Sequence, residues 1–337
     1  MQPSGFNRCL SRKSLKLKTM KTTKTPLIIL IALFISTISF AQQTINKSFN
    51  GVKNIRLSTA SGNGTIKKGT GNEVKVTLEY TFDDEIYKPT FEQDGDRLII
   101  DERFERSRSV RGYAEWTLEI PDGLELEFKT GSGNIEVDGL EINVLAKSGS
   151  GNIEMSDVTG EFRMNTGSGN IELSNVKGDN QGNTGSGNIR LDRVEGNSDF
   201  NTGSGSIRGR AVSGAMDFNT GSGNITIDGA TIQGNSRMNT GSGNAEVVLE
   251  GELNFDLSLN TGSGNATLDF NGTTIAGEFR MEASSKSDIR APFDFDRVSE
   301  KESGWRNSKR YTKEAKVGNK DIQIVISTGS GVSQVRK

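Results

Sequence analysis

One repeat constrains this chain more than any other feature. The tripeptide Gly-Ser-Gly begins at Gly131, Gly149, Gly167, Gly185, Gly203 and Gly221, each 18 residues after the last, and returns at Gly241, Gly262 and Gly329. A worn copy, Ser284-Ser285-Lys286-Ser287-Asp288-Ile289, falls in the last gap, and a weak one, Thr59-Ala60-Ser61-Gly62-Asn63, precedes the series. A fixed period of this length marks an architecture of stacked units, none of which buries its apolar face alone.

Laid under one another, the units form columns. Ile135, Ile153, Ile171, Ile189, Ile207 and Ile225 align; two residues on stand Val137, Met155, Leu173, Leu191, Gly209 and Ile227. Three further on come Leu140, Val158, Val176, Val194 and Val212. A second run aligns Ala146, Met164, Gly182, Phe200 and Phe218. Glu136, Glu154, Glu172, Arg190, Arg208 and Thr226 lie between the first two columns and point outward. Apolar-polar-apolar alternation over so few residues is a half-buried strand. Gly-Ser-Gly and the column Gly160, Gly178, Gly196, Gly214 mark turns, where glycine would supply a positive φ.

Each unit therefore reads strand, turn, strand, turn. Stacking pairs each strand with its equivalent one coil above, and the predicted fold is an all-β, single-chain parallel β-solenoid, or β-helix, of 18-residue coils. The period would suit a left-handed triangular helix, but its hexapeptide pattern is missing, so a right-handed coil is favoured. Open sheet edges invite aggregation, so irregular β caps are expected at both ends. Glu73–Tyr80, Arg97–Ile100 and Ala114–Ile120 read as strands of the first cap. At the other end, 293–320 reads as a charged loop or hairpin holding Trp305 and Tyr311, before a last strand at 321–327.

Two polar columns accompany the turns. Asn134, Asn152, Asn170, Asn188, Asn224, Asn244 and Asn265 follow the second glycine, with Ser206 as the exception. Stacked amides at this spacing can hydrogen-bond along the axis, so they are read as a structural ladder in preference to a ligand row. Thr130, Thr166, Thr184, Thr202, Thr220, Thr240 and Thr261 form the other column. An ice-binding surface would need such threonines outward and in pairs; the glycine beside each one argues against that.

The first 41 residues stand apart. Lys21 and Lys24 precede an apolar run from Leu27 to Phe40, closed by Ser39-Phe40-Ala41 and followed by Gln42. A basic start, a short apolar stretch and a small-residue exit are a secretory signal peptide, with cleavage expected between Ala41 and Gln42. The run is too short for an ordinary membrane span. Met20 opens a signal of normal length, which makes residues 1–19 a candidate misassigned start. The expected organisation is a signal peptide at 1–41, a β segment at 42–129 that caps or extends the solenoid, regular coils at 130–283, and degenerate coils with a charged loop at 284–337. After processing, no transmembrane segment remains and the product is extracytoplasmic: periplasmic, on the cell surface or released.

Processing also sets the chemistry. The removed segment holds the single cysteine, Cys9, and no acid, leaving 34 basic against 43 acidic residues and a formal charge of −9. A chain this acidic, without a basic patch, gains no counterion-release affinity for nucleic acid. With no histidine and no remaining cysteine, only oxygen ligands could hold a metal, and the turns carry Ser and Asn where a calcium β-roll needs Asp. Gly-Ser-Gly opens a strand, whereas a phosphate-cradling loop opens a helix. No metal, cofactor or catalytic residue is therefore assigned. Outward Glu136, Glu154 and Glu172 could in principle serve a polysaccharide-active β-helix enzyme, but a row that repeats with the coil is more simply a solvated face.

At the level of motifs the chain resembles the bacterial β-strand-repeat "putative adhesin" domain family. The resemblance is carried by Thr130-Gly-Ser-Gly-Asn-Ile-Glu-Val137 and its successors, by Leu118-Glu-Ile-Pro-Asp-Gly123, and by the ending from Asp321 to Gly331. It runs from about residue 48 to the C-terminus. It implies a β-helix-like fold in a cell-envelope setting and brings no catalytic residues with it. The expected function is that of a non-enzymatic surface protein contacting an envelope or extracellular polysaccharide or protein. The alternatives are a passive envelope scaffold and a polysaccharide-active enzyme.

Overall fold

Ile135, Ile153, Ile171, Ile189, Ile207 and Ile225 are successive cross-strand partners in one parallel sheet. The file continues through Ala245, Ala266 and Ser333. Equivalent side chains thus lie directly on one another, and the protein is a β-solenoid. The structure is a computed structural model that describes residues 42–105, 111–303 and 308–337. The expected signal peptide, with Cys9 and Ala41, and Trp305 lie outside the described residues.

Each coil gives one strand to each of two long sheets, of 14 and 15 strands. In one coil Phe162–Thr166 belongs to the second sheet and Ile171–Lys177 to the first; the next repeats this with Asn180–Thr184 and Ile189–Glu195. The inward columns of both sheets make one continuous core. Ala146, Met164, Gly182, Phe200 and Phe218 form the file facing the isoleucines. The small residue is not a void: a Cβ on Gly182 would lie 2.4 Å from the Phe200 ring, which fills that space.

The three-residue step from Met155 to Val158 has a local cause. Asp157, Asn175, Arg193 and Ala211 hold φ of 50–54°, with Gly139 and Gly229 at the same level. A left-handed residue bends the strand and returns the third apolar column to the core. The sequence uses residues tolerant of this region at most of these sites, but not at Arg193 or Ala211.

The glycines of Gly-Ser-Gly correct the expectation of positive φ, because none of them adopts it. Close approach is the reason for glycine there. A Cβ on Gly187 would sit 1.8 Å from the carbonyl oxygen of Gly169 one coil below, and the other copies are equally tight. The second turn combines both constraints: Gly178, Gly196 and Gly214 lie at φ of 120–129°, and a Cβ on any of them would sit 1.9–2.2 Å from a carbonyl oxygen of the coil below.

The ends depart from chain order. Asn54–Thr59 and Asn63–Lys68, which contain the weak copy, form a full coil that stacks under Leu124–Thr130 and Ile135–Asp138. The coil of Arg97–Asp101 and Ala114–Ile120 lies outside it, although it comes later in the chain. At the other end the C-terminal coil, Gln323–Thr328 and Ser333–Arg336, stacks directly on Leu257–Thr261 and Ala266–Asp269. The worn copy is pushed beyond it, with Gly277–Ala283 and Ile289–Arg290 as its strands. Ser333–Arg336 is therefore the last strand, not 321–327 as the sequence suggested.

Antiparallel strands close the edges. Gln43–Asn50 pairs with Glu73–Tyr80, and Thr90–Asp94 with Arg97–Asp101. Arg297–Ser303 and Ser308–Val317 form a hairpin on Gly277–Ala283, in the region read as loop or hairpin. The charged sequence of Arg297–Ser303 and the two-residue Ile289–Arg290 are poor templates for further pairing. Among the described residues, no helix is long and apolar enough to cross a membrane.

Candidate binding surface

The turn between the two strands of a coil presents the conspicuous Asn file, and the structure gives it a defined role. The side-chain oxygen of each Asn accepts from the backbone N–H of the equivalent residue one coil on: Asn134 from Asn152 at 2.9 Å, Asn152 from Asn170 at 2.8 Å, Asn170 from Asn188 at 2.8 Å. Asn188 serves Ser206, Ser206 serves Asn224 through its hydroxyl at 3.2 Å, and Asn224, Asn244 and Asn265 continue to Val332. At the other end Asn63 of the weak copy accepts from Asn134. The ladder runs side chain to backbone, not amide to amide.

The Thr file is buried beside it. Thr184 donates to the Gly169 carbonyl of the coil below at 2.9 Å and accepts from its own Gly187 N–H at 3.1 Å. Ser148 replaces threonine in the same file and makes both bonds. These hydroxyls satisfy turn backbone that the stacked glycines leave without side chains. With the threonines inside, the file is no ice-binding surface.

A further row escaped the sequence reading. Asn165, Asn183, Asn201, Asn219, Asn239 and Asn260 are successive partners on the outer side of the second sheet. Here amides do bond to amides: Asn239 donates to Asn219 at 2.7 Å and Asn260 to Asn239 at 3.0 Å. Asn201 and Asn219 donate instead to Asp199 and Asp217 in their own strands. The signal was present as an Asn before each Thr of the repeat from Thr166 to Thr261.

The outer face of the first sheet carries the charge. Glu136, Glu154, Glu172, Arg190, Arg208 and Thr226 form one row, in register. Beside it run Asp138, Ser156, Ser174, Asp192, Arg210 and Asp228. A trough of about 460 Å³ lies between the rows, bordered by Glu154, Glu172, Arg190, Asp192, Arg208 and Arg210. Partial burial, then the flanking Glu136 and Glu172, push the Glu154 carboxyl above its ordinary value. The Arg210 hydrogen bond, with Arg193 nearby, holds Asp192 below its own. Glu172 pairs with Arg190 at 3.0 Å. The row is thus acidic at one end and basic at the other, joined by one ion pair. No group of three or more metal-ligating side chains occurs among the described residues.

Several solved structures resemble this fold. A "putative cell adhesion protein" from Clostridium sporogenes is 11% identical, with 88% of this chain and 98% of that one covered and a TM-score of 0.25. A "putative lipid binding protein" and a "putative adhesin", both from Parabacteroides distasonis, are 14% and 12% identical, each with 88% and 97% covered and a TM-score of 0.40. At these scores the likeness assigns no ligand. No curated protein matches the chain. The family model of Toastrack DUF4097 matches residues 52–291. That span takes in the intercalated first coil, all the regular coils and the worn copy, and the chain belongs to the Toastrack DUF4097 family.

Proposed function

We propose that this protein is a secreted or cell-surface, non-enzymatic β-solenoid that works through its outer faces, in adhesion or envelope interaction. The observation that supports this reading is the register. Outward groups such as Asn183, Asn201, Asn219 and Asn239 are direct partners from coil to coil, so one chemical group recurs at a single strand spacing of about 4.8 Å. A periodic surface suits multivalent contact with a repetitive partner, where many weak contacts add without any one being strong. Placement outside the cytoplasm rests on the signal-like segment before Gln42.

Passing the purified protein over immobilised envelope polysaccharides and extracellular matrix proteins tests this. Saturable retention on one class supports the reading. Retention on none turns the assignment to a passive scaffold. Turnover of a polysaccharide, abolished by one acid-to-amide change, turns it to an enzyme.

A further inference from the structure

The charge row on the first sheet has an internal symmetry that the repeat does not require. At its centre Glu172 and Arg190 are adjacent and paired. One coil to either side stand Glu154 and Arg208, and among the described residues neither has an oppositely charged partner within salt-bridge distance. Glu154 is instead flanked by two like charges, Glu136 and Glu172. The symmetry covers these four levels: beyond them the row continues through Glu136 and Thr65 on one side and Thr226 and Glu246 on the other.

We infer that this face binds a second copy of the chain, solenoid axes antiparallel, about a twofold axis that runs along the strands between Glu172 and Arg190. That operation turns one outer face onto the other and reverses the order of the row. It sets Glu154 of each copy opposite Arg208 of the other, and Glu172 opposite Arg190. The contact is isologous, so each complementary pair is made twice. The rows are straight and in register, so each faces its own counterpart: the neighbouring row sets Ser174 opposite Asp192 and Ser156 opposite Arg210, and opposes like charges only at its outermost level, Asp138 and Asp228. Charge complementarity selects this partner: a uniformly anionic surface is repelled by the Glu136–Glu172 half, and a uniformly cationic one by Arg190 and Arg208. The pairs lie at the surface and are individually weak, so the association is salt-sensitive, and its screening sets in over about 10 Å at 0.1 M salt.

Sedimentation equilibrium of the purified protein decides the matter, and its readout is independent of retention on any polysaccharide. A dimer at low ionic strength that dissociates as salt is added is expected. Arg208→Glu and Glu154→Arg, each placing like charges opposite one another twice, should weaken it roughly tenfold or more. The Glu154→Arg/Arg208→Glu double variant should restore it, because the same contacts re-form with signs exchanged. Arg163→Glu, on the outer face of the second sheet, should leave it unchanged. A monomer at every salt and protein concentration overturns the inference, as does a double variant no stronger than the single ones.

Discussion

The side-chain oxygen of Asn170 accepts a hydrogen bond of 2.8 Å from the backbone N–H of Asn188, one full coil away. The same bond recurs from Asn63 to Val332, so each coil's turn is clamped to the next by a residue that also holds the coil below. Asn170→Ala leaves one turn N–H without its partner and should cost about 1 kcal/mol. Ser206 bridges with a longer bond, 3.2 Å, and Ser206→Asn should recover a few tenths of a kcal/mol. Urea midpoints of the two variants check both signs; equal midpoints would show the file to be ornamental.

The turn glycines should be far less tolerant than exposed glycines elsewhere. Alanine at 187 meets the Gly169 carbonyl at 1.8 Å, whereas alanine at 251 meets nothing within 4 Å. Relieving the first clash means prising two coils apart, at a cost of about 3 kcal/mol or more. Thermal unfolding of Gly187→Ala beside Gly251→Ala gives the comparison, with a large loss expected only in the former.

Ala211 sits at φ 50° where every equivalent coil but that of Arg193 uses Asp, Asn or Gly. The left-handed region costs an ordinary residue about 1–2 kcal/mol. Glycine escapes this and loses about half of the gain to unfolded-state entropy. Ala211→Gly should therefore raise stability by about 0.5–1 kcal/mol, read as a higher urea midpoint at unchanged slope. The reverse experiment, Gly229→Ala at φ 75°, should lower it.

Acid should loosen the C-terminal end through Glu282. Burial alone would raise its carboxyl, but bonds from Arg310 at 2.8 Å and Arg280 at 2.9 Å outweigh that and hold it below the ordinary value. A carboxyl lowered in the folded state stabilises fully above its unfolded pKa and loses that contribution as the pH falls through the folded one. The contribution is about 1–2 kcal/mol, since the carboxylate is mostly shielded but Arg280 is exposed. Amide protection factors, taken against the intrinsic rate at each pH, should fall on acidification more steeply in Gly277–Ala283 than in Ile171–Lys177. In Glu282→Gln that difference should flatten.

Much of this architecture could be read without coordinates, for a specific reason. In a stacked repeat, neighbours in space are neighbours in the repeat, so a column in the alignment is a file in the core. Ile153 and Ile171, or Phe200 and Phe218, needed only their spacing to be placed together. The Asn165–Asn260 row was missed although alternation places it outward, between the buried Met164 and Thr166 and their equivalents. The Gly-Ser-Gly glycines were explained by the wrong force and the Gly160–Gly214 column by the right one, since φ and inter-coil distance leave the same letter in the sequence.

What the sequence by itself determined is the periodic part: coil length, the residues that face inward, and the polar files, all fixed by an 18-residue step that forces equivalent groups into register. What only the tertiary structure decided is the order of coils at the ends. The C-terminal coil slips between Leu257–Thr261 and Gly277–Ala283, and the first coil between Arg97–Asp101 and Leu124–Thr130. Every coil offers much the same backbone ladder to its neighbour, so local pattern cannot say which will be adjacent. That choice falls to side-chain packing and to closing the open edges, which depend on the whole stack at once.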